Sequence, residues 1–154
     1  MIQRIQTLYL ALATAFSGFL LKGQIFTLVG MDAESYEFNI KGLFRGDNSI
    51  STLIERSLPL TILAITVTFL FFLAIFLFKR RKLQIRITVL ATLLSFGSLL
   101  LIIYYLIITG KTLEAEFIFG IRMVFPAAAA IFGYLAFRGV LKDELLIKSY
   151  DRIR

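Results

Sequence analysis

The sequence predicts an all-α integral membrane protein: four transmembrane helices in a bundle, with a small extracytoplasmic β-hairpin segment between the first and second. Three observations carry this expectation. Apolar residues make up 58% of the 154-residue chain and charged ones 18%, against about 45–50% and about 25% in soluble domains. The excess apolar surface therefore needs something other than water around it. Four apolar runs each approach the roughly 20 residues needed to cross a bilayer. Basic residues gather at the ends of these runs, mostly on one side. A single membrane domain over residues 1–154 is the expected organisation.

The first run, IQTLYLALATAFSGFLL (5–21), is near the minimum length for a span. It follows Arg4 as a signal peptide would. Leu20, Leu21 and Lys22 then stand where a small-residue cleavage site belongs, so a retained helix is the better reading. The second run covers 58–78 and carries Pro59 in its first turn, where a missing N–H is harmless. The third covers 87–108. The fourth, 117–137, alone holds a charge inside it, at Arg122.

Orientation follows from the basic residues. Lys79, Arg80, Arg81, Lys82 and Arg86 form a loop without an acid between the second and third runs. With Arg4 before the first run and Arg138, Lys142, Lys148, Arg152 and Arg154 after the fourth, one side holds eleven basic residues against Asp143, Glu144 and Asp151. The other has Lys22, Lys41, Arg45, Arg56 and Lys111 against seven acids. The positive-inside rule then puts both termini and the 79–86 loop in the cytoplasm. The cluster Lys79, Arg80, Arg81, Lys82, Arg86, Arg152 and Arg154 becomes a candidate interface for anionic lipids or a partner. Nucleic acid is not expected, because no soluble basic domain exists to form a groove.

Segment 22–57 is the sizeable part outside the spans. QIFTLVG reads as a strand, GMDAE as a turn, and SYEFNIK alternates Tyr36, Phe38 and Ile40 with polar residues. A period of two predicts a half-buried strand and hence a hairpin. GLFRGDNS reads as a turn, which also accounts for the Arg45–Gly46–Asp47 tripeptide. Asn48 or Ser49 could cap a short helix over SISTLIERS. The tail, 138–154, places Leu141, Leu145 and Leu146 near one side of a cytoplasmic helix.

Helices in lipid associate through small residues and a few hydrogen bonds. Candidate seams are Thr7, Ala11, Thr14 and Gly18; Thr61, Ala64 and Thr68; Thr88, Thr92 and Ser95; and Gly120, Ala127, Ala130 and Gly133. Hydroxyls in such helices can bond the carbonyl four residues back.

Chemistry finds little support. The chain has neither Cys nor His, which removes thiol and imidazole catalysis and the common zinc and haem ligands. All ten carboxylates lie outside the four runs, whereas intramembrane proton chemistry usually places one within. No catalytic residue, cofactor or metal ligand is expected. Arg122 and Pro126 form the one candidate intramembrane contact. Inside a helix, Pro126 would unhook the carbonyl of Arg122, four residues earlier, and kink the chain beside a cation. Arg122 could otherwise snorkel to the outer rim or pair with Glu55, Glu114 or Glu116.

MIQRIQTLYLALA at the amino end, FKRRKLQIRI in the loop and KDELLIKSYDRIR at the close together resemble a bacterial membrane family called domain of unknown function 4293. The resemblance runs nearly end to end. It implies a four-helix inner-membrane protein and brings no activity with it. The order of spans and outside segment is also similar to that of claudin-like proteins, by layout alone.

The expected function is non-enzymatic: an accessory, assembly or scaffold subunit of a larger membrane complex, in contact with another membrane protein or a second copy. The alternative is a small oligomeric transporter or channel with Arg122 as its anion contact. A lipid-modifying enzyme ranks last, for want of a nucleophile and base.

Overall fold

A computed structural model describes residues 2–30, 34–47 and 50–151. Among them are four α-helices and five strands: α1 (Ile2–Leu20), β1 (Gln24–Val29), β2 (Ser35–Asn39), β3 (Gly42–Asp47), β4 (Ile50–Arg56), α2 (Leu58–Phe76), α3 (Arg81–Leu113), β5 (Glu116–Ile118) and α4 (Phe125–Asp151). Short 3₁₀ turns, Leu77–Lys79 and Ile121–Val124, precede α3 and α4.

The all-α expectation with a small hairpin is therefore wrong. The strands form one antiparallel five-stranded sheet in the order β4-β3-β2-β1-β5. The β1–β2 hairpin is present, with Phe26 opposite Phe38, but GLFRGD is strand β3 rather than a turn, and STLIER belongs to β4 rather than a helix. A lone two-stranded hairpin is marginal in water, and extra strands on either side answer that weakness. The proposed turn residues Met31 to Ala33 and the cap residues Asn48 and Ser49 lie outside the described residues.

The helix limits change as well. Segments Leu58–Lys79, Arg81–Leu113 and Ile121–Leu145 are long and apolar enough to cross a membrane, whereas Ile5–Leu20 is a shorter apolar helix. Arg81 to Arg86, expected in a loop, form the first turns of α3. Its 33 residues extend about 50 Å at 1.5 Å per residue. The fourth run is not one helix: Phe117 lies in β5, Arg122 in the 3₁₀ turn, and α4 begins only at Phe125 and continues to Asp151.

Helix α1 packs on α2 and α4, and α3 packs on the same two. The buried faces repeat at alternating steps of four and three residues. They are Gln6, Leu10, Ala13, Ser17 and Leu20 on α1; Leu60, Ala64, Val67, Phe71 and Ala74 on α2; Gln84, Thr88, Ala91, Ser95, Ser98 and Ile102 on α3; and Pro126, Ala129, Gly133, Ala136 and Val140 on α4. That spacing is the left-handed, shallow-angle packing pattern. The buried seam of α1 runs one face over from the expected Thr7–Ala11 stripe, and both of those residues are exposed. Small residues meet between α3 and α4, where a Cβ on Gly133 would sit 2.5 Å from Thr92 Oγ1 of α3, and the same position faces the Phe71 ring of α2 at 2.8 Å. Outward faces carry Ile62, Ile65, Phe69, Phe72, Leu90, Leu93, Phe96 and Leu100, all exposed.

Hydroxyls turn back onto their own helices as expected. Thr14, Thr68 and Thr92 donate to the carbonyls of Leu10, Ala64 and Thr88 at 2.8, 2.9 and 2.7 Å.

The sheet lies across the C-terminal ends of α1 and α3 and the N-terminal ends of α2 and α4. Phe26 stacks on Phe38 at 4.6 Å, and Phe38 meets Tyr105 of α3 at 5.4 Å. Ser57 and Thr61, at the start of α2, both donate to the Ile40 carbonyl, at 3.0 and 2.6 Å. Ile25, Phe26, Leu28, Phe38, Ile40 and Leu43 thus share one core with Leu20, Leu60, Ala64, Ile102 and Met123.

Candidate functional site

Arg122 sits where the sheet meets the helix ends. A groove of about 620 Å³ opens there, lined by Phe19, Phe26, Phe119, Phe125, Ile118 and Ile121 with Gln24, Thr27 and Arg122. The local fold explains the position. Gly120 lets the chain cross β1, since a Cβ there would run into the Ile25 carbonyl. The 3₁₀ turn then points Arg122 back toward Gly23, whose φ of +85° suits glycine. A Cβ at Gly23 would collide with the guanidinium. One guanidinium nitrogen donates to the Gln24 carbonyl at 3.3 Å. Among the described residues, no carboxylate pairs with Arg122, so the expected staple to Glu55, Glu114 or Glu116 is not what holds it.

Pro126 plays a different part from the one expected. It is the second residue of α4, where a helix has no use for the missing N–H. The Arg122 carbonyl is not orphaned, because it accepts the Phe125 N–H in the 3₁₀ turn. Pro126 is buried, and its own carbonyl accepts from Ser95 Oγ at 2.9 Å. Proline and arginine therefore serve two places: the α3–α4 seam and the groove.

The basic cluster gathers at the opposite end. Lys79, Arg80, Arg81 and Lys82 line an open groove of about 470 Å³ with Leu83 and Glu144 of α4. Arg86 is exposed further along α3, and Arg152 and Arg154 lie outside the described residues. Of the hairpin residues, Phe38 and Ile40 are buried in the shared core. Tyr36 is half-buried, and its hydroxyl donates to Glu34 at 2.8 Å. They build the lid rather than present it. Among the described residues, the exposed large apolar side chains of the sheet are Leu53 and Ile54 on edge strand β4, and Phe117 and Ile118 on the other edge, β5.

One polar cluster escaped the sequence reading. Gln6 of α1 donates to the Asp143 carboxylate of α4 at 2.7 Å, with Asp143 only 8% exposed. Gln84 of α3 donates to the Ala74 carbonyl at 3.1 Å nearby along the same end of the helices. The signal was available, since Asp143 continues the steps of Ala136 and Val140 on the buried face of α4. A single carboxylate held by an amide is a tether between the first and last helices rather than an acid–base pair. Among the described residues, no three His, Cys, Asp or Glu side chains approach closely enough to hold a metal.

Comparison with known proteins gives one result. No curated protein matches the chain. A family model described as domain of unknown function (DUF4293) matches residues 2–153, and the chain belongs to that family.

Proposed function

We propose that the chain is a non-enzymatic integral membrane protein of the bacterial inner membrane, an accessory or assembly subunit that docks another membrane protein through its sheet. The membrane part of the reading rests on the inside-out arrangement of the helices. Small and hydroxyl residues face one another, and bulky Ile, Leu and Phe face outward, as helices in lipid do. Helix α1 is short, but α2 and α4 flank it, so it crosses in their company. The end carrying Lys79 to Arg86 faces the cytoplasm and its anionic lipids, by the positive-inside rule.

The observation that carries the docking role is edge strand β4. Thr52 through Arg56 are all exposed, including Leu53 and Ile54. An exposed edge with apolar side chains is a template for strand addition. The interior shared by the helices is filled by Leu10, Ala13, Val67, Phe71, Ala74, Ala91, Ala129 and Ala136, which favours this reading over a conduit.

Purification from native membranes in mild detergent tests it. Stoichiometric co-purification of a second membrane protein is expected, and Leu53→Lys with Ile54→Lys should abolish it while leaving the chain folded. A homo-oligomer that purifies alone and conducts anions in liposomes would instead establish the transporter alternative.

A further inference from the structure

We propose that the Arg122 groove binds the phosphate of an anionic phospholipid, with an acyl chain against its aromatic wall. The proposal rests on the membrane reading above. A guanidinium carries five N–H donors in a planar fork suited to phosphate. Here it makes one long bond, 3.3 Å to the Gln24 carbonyl, and meets no carboxylate among the described residues. Gly23, Gly120 and the 3₁₀ turn fix it at the mouth of the groove, so the fork is positioned before any ligand arrives. Gln24 and Thr27, hydrogen-bonded to each other, stand on the same wall and add further polar groups at headgroup level.

The rest of the wall decides between sources of phosphate. Inorganic phosphate would engage the fork and leave Phe19, Phe26, Phe119, Phe125, Ile118 and Ile121 unused. Phe19 and Ile121 are exposed, so the wall opens sideways onto the apolar outer face of the helices. A charged head beside an apolar chain matches that sequence of surfaces, and the occupant is a lipid of the leaflet on the sheet side.

The test uses the full chain in detergent, with Lys79, Arg80, Arg81 and Lys82 changed to Gln so that the opposite basic groove holds no lipid. Retention of phosphatidylglycerol is read by native mass spectrometry. It should exceed that of phosphatidylcholine, and Arg122→Gln should lower it about tenfold. Ile121→Glu, at a position 77% exposed on the groove wall and packed in no helix seam, should produce the same loss by setting a carboxylate against the phosphate, with circular dichroism checking that the variant folds. Equal retention by the parent and both variants overturns the proposal. So does equal retention of the two lipids, or displacement of the lipid by equimolar inorganic phosphate. Release of a bound protein instead of a lipid by Arg122→Gln reassigns the groove to a protein contact and also overturns it. Alkaline carbonate extraction of membranes separates the two levels. A chain that stays in the pellet while failing the lipid test loses only this proposal, whereas a chain that is extracted loses the membrane reading too.

Discussion

Glu114 ends α3 in the left-handed conformation, φ 45°, with its N–H and that of Ala115 both donating to the Gly110 carbonyl. Glycine is the usual residue there, because a Cβ is strained at positive φ. Glu114 is exposed, so Glu114→Gly should raise stability by about 1 kcal/mol, read as a higher midpoint in thermal circular dichroism. A second residue-scale test lies in the α3–α4 seam. The Thr88 hydroxyl is buried and lacks a partner among the described residues. Thr88→Val should be neutral or stabilising by about 1 kcal/mol, whereas Ser95→Ala, which breaks the bond to Pro126, should cost about that much. At this scale the sequence marked Arg122 and Pro126 correctly as unusual neighbours but joined them wrongly. The kink required a helix already running at Arg122, and a continuous apolar run does not reveal whether it is strand, turn or helix.

At the scale of elements, the helices were legible and most of the sheet was not. Helices α2 and α3 follow from uninterrupted apolar length, which outweighs every local ambiguity. Strand β4 was hidden by its own irregularity. Leu43 pairs with Glu55 and Phe44 with Leu53, so Ile54 is the extra residue of a bulge. A bulge breaks the period of two, and Leu53 and Ile54 side by side with Glu55 and Arg56 imitate a helical turn. Strand β5 was hidden for the opposite reason: its three residues continue straight into the apolar run of α4. The helix seams can be tested directly. A side chain on Gly133 would enter the space of Thr92 Oγ1 and the Phe71 ring, at 2.5 and 2.8 Å from the new Cβ. Gly133→Val should therefore cost about 1–3 kcal/mol through overpacking, seen as a lower midpoint in detergent. Ala130→Val, at a half-buried position of the same helix, should cost less.

The whole molecule is polar in the sense of having two unlike ends. A sheet with Arg45, Arg56, Glu37 and Glu55 caps one, and the acid-free turns of Lys79 to Arg86 form the other. Helix α3 is some 50 Å long, beyond the roughly 30 Å of a hydrocarbon core, so its basic first turns must project from whatever apolar layer surrounds the helices. On the membrane reading proposed above, the positive-inside rule turns the Lys79 end inward, because eleven basic residues accompany three acids on that side, and five accompany seven acids on the sheet side. The chain contains no cysteine, which makes the orientation directly measurable. Thr52→Cys on β4 and Lys82→Cys on α3 are both exposed positions that leave the buried seams untouched. In spheroplasts, a membrane-impermeant maleimide should label the Thr52→Cys protein and spare the Lys82→Cys protein until the membrane is opened by detergent. Labelling of Lys82→Cys in sealed spheroplasts would reverse the orientation. It would also move the Arg122 groove to the cytoplasmic leaflet, because β1, the Ile121–Val124 turn and the helix ends they cover pack as one core with the sheet and cannot change sides separately.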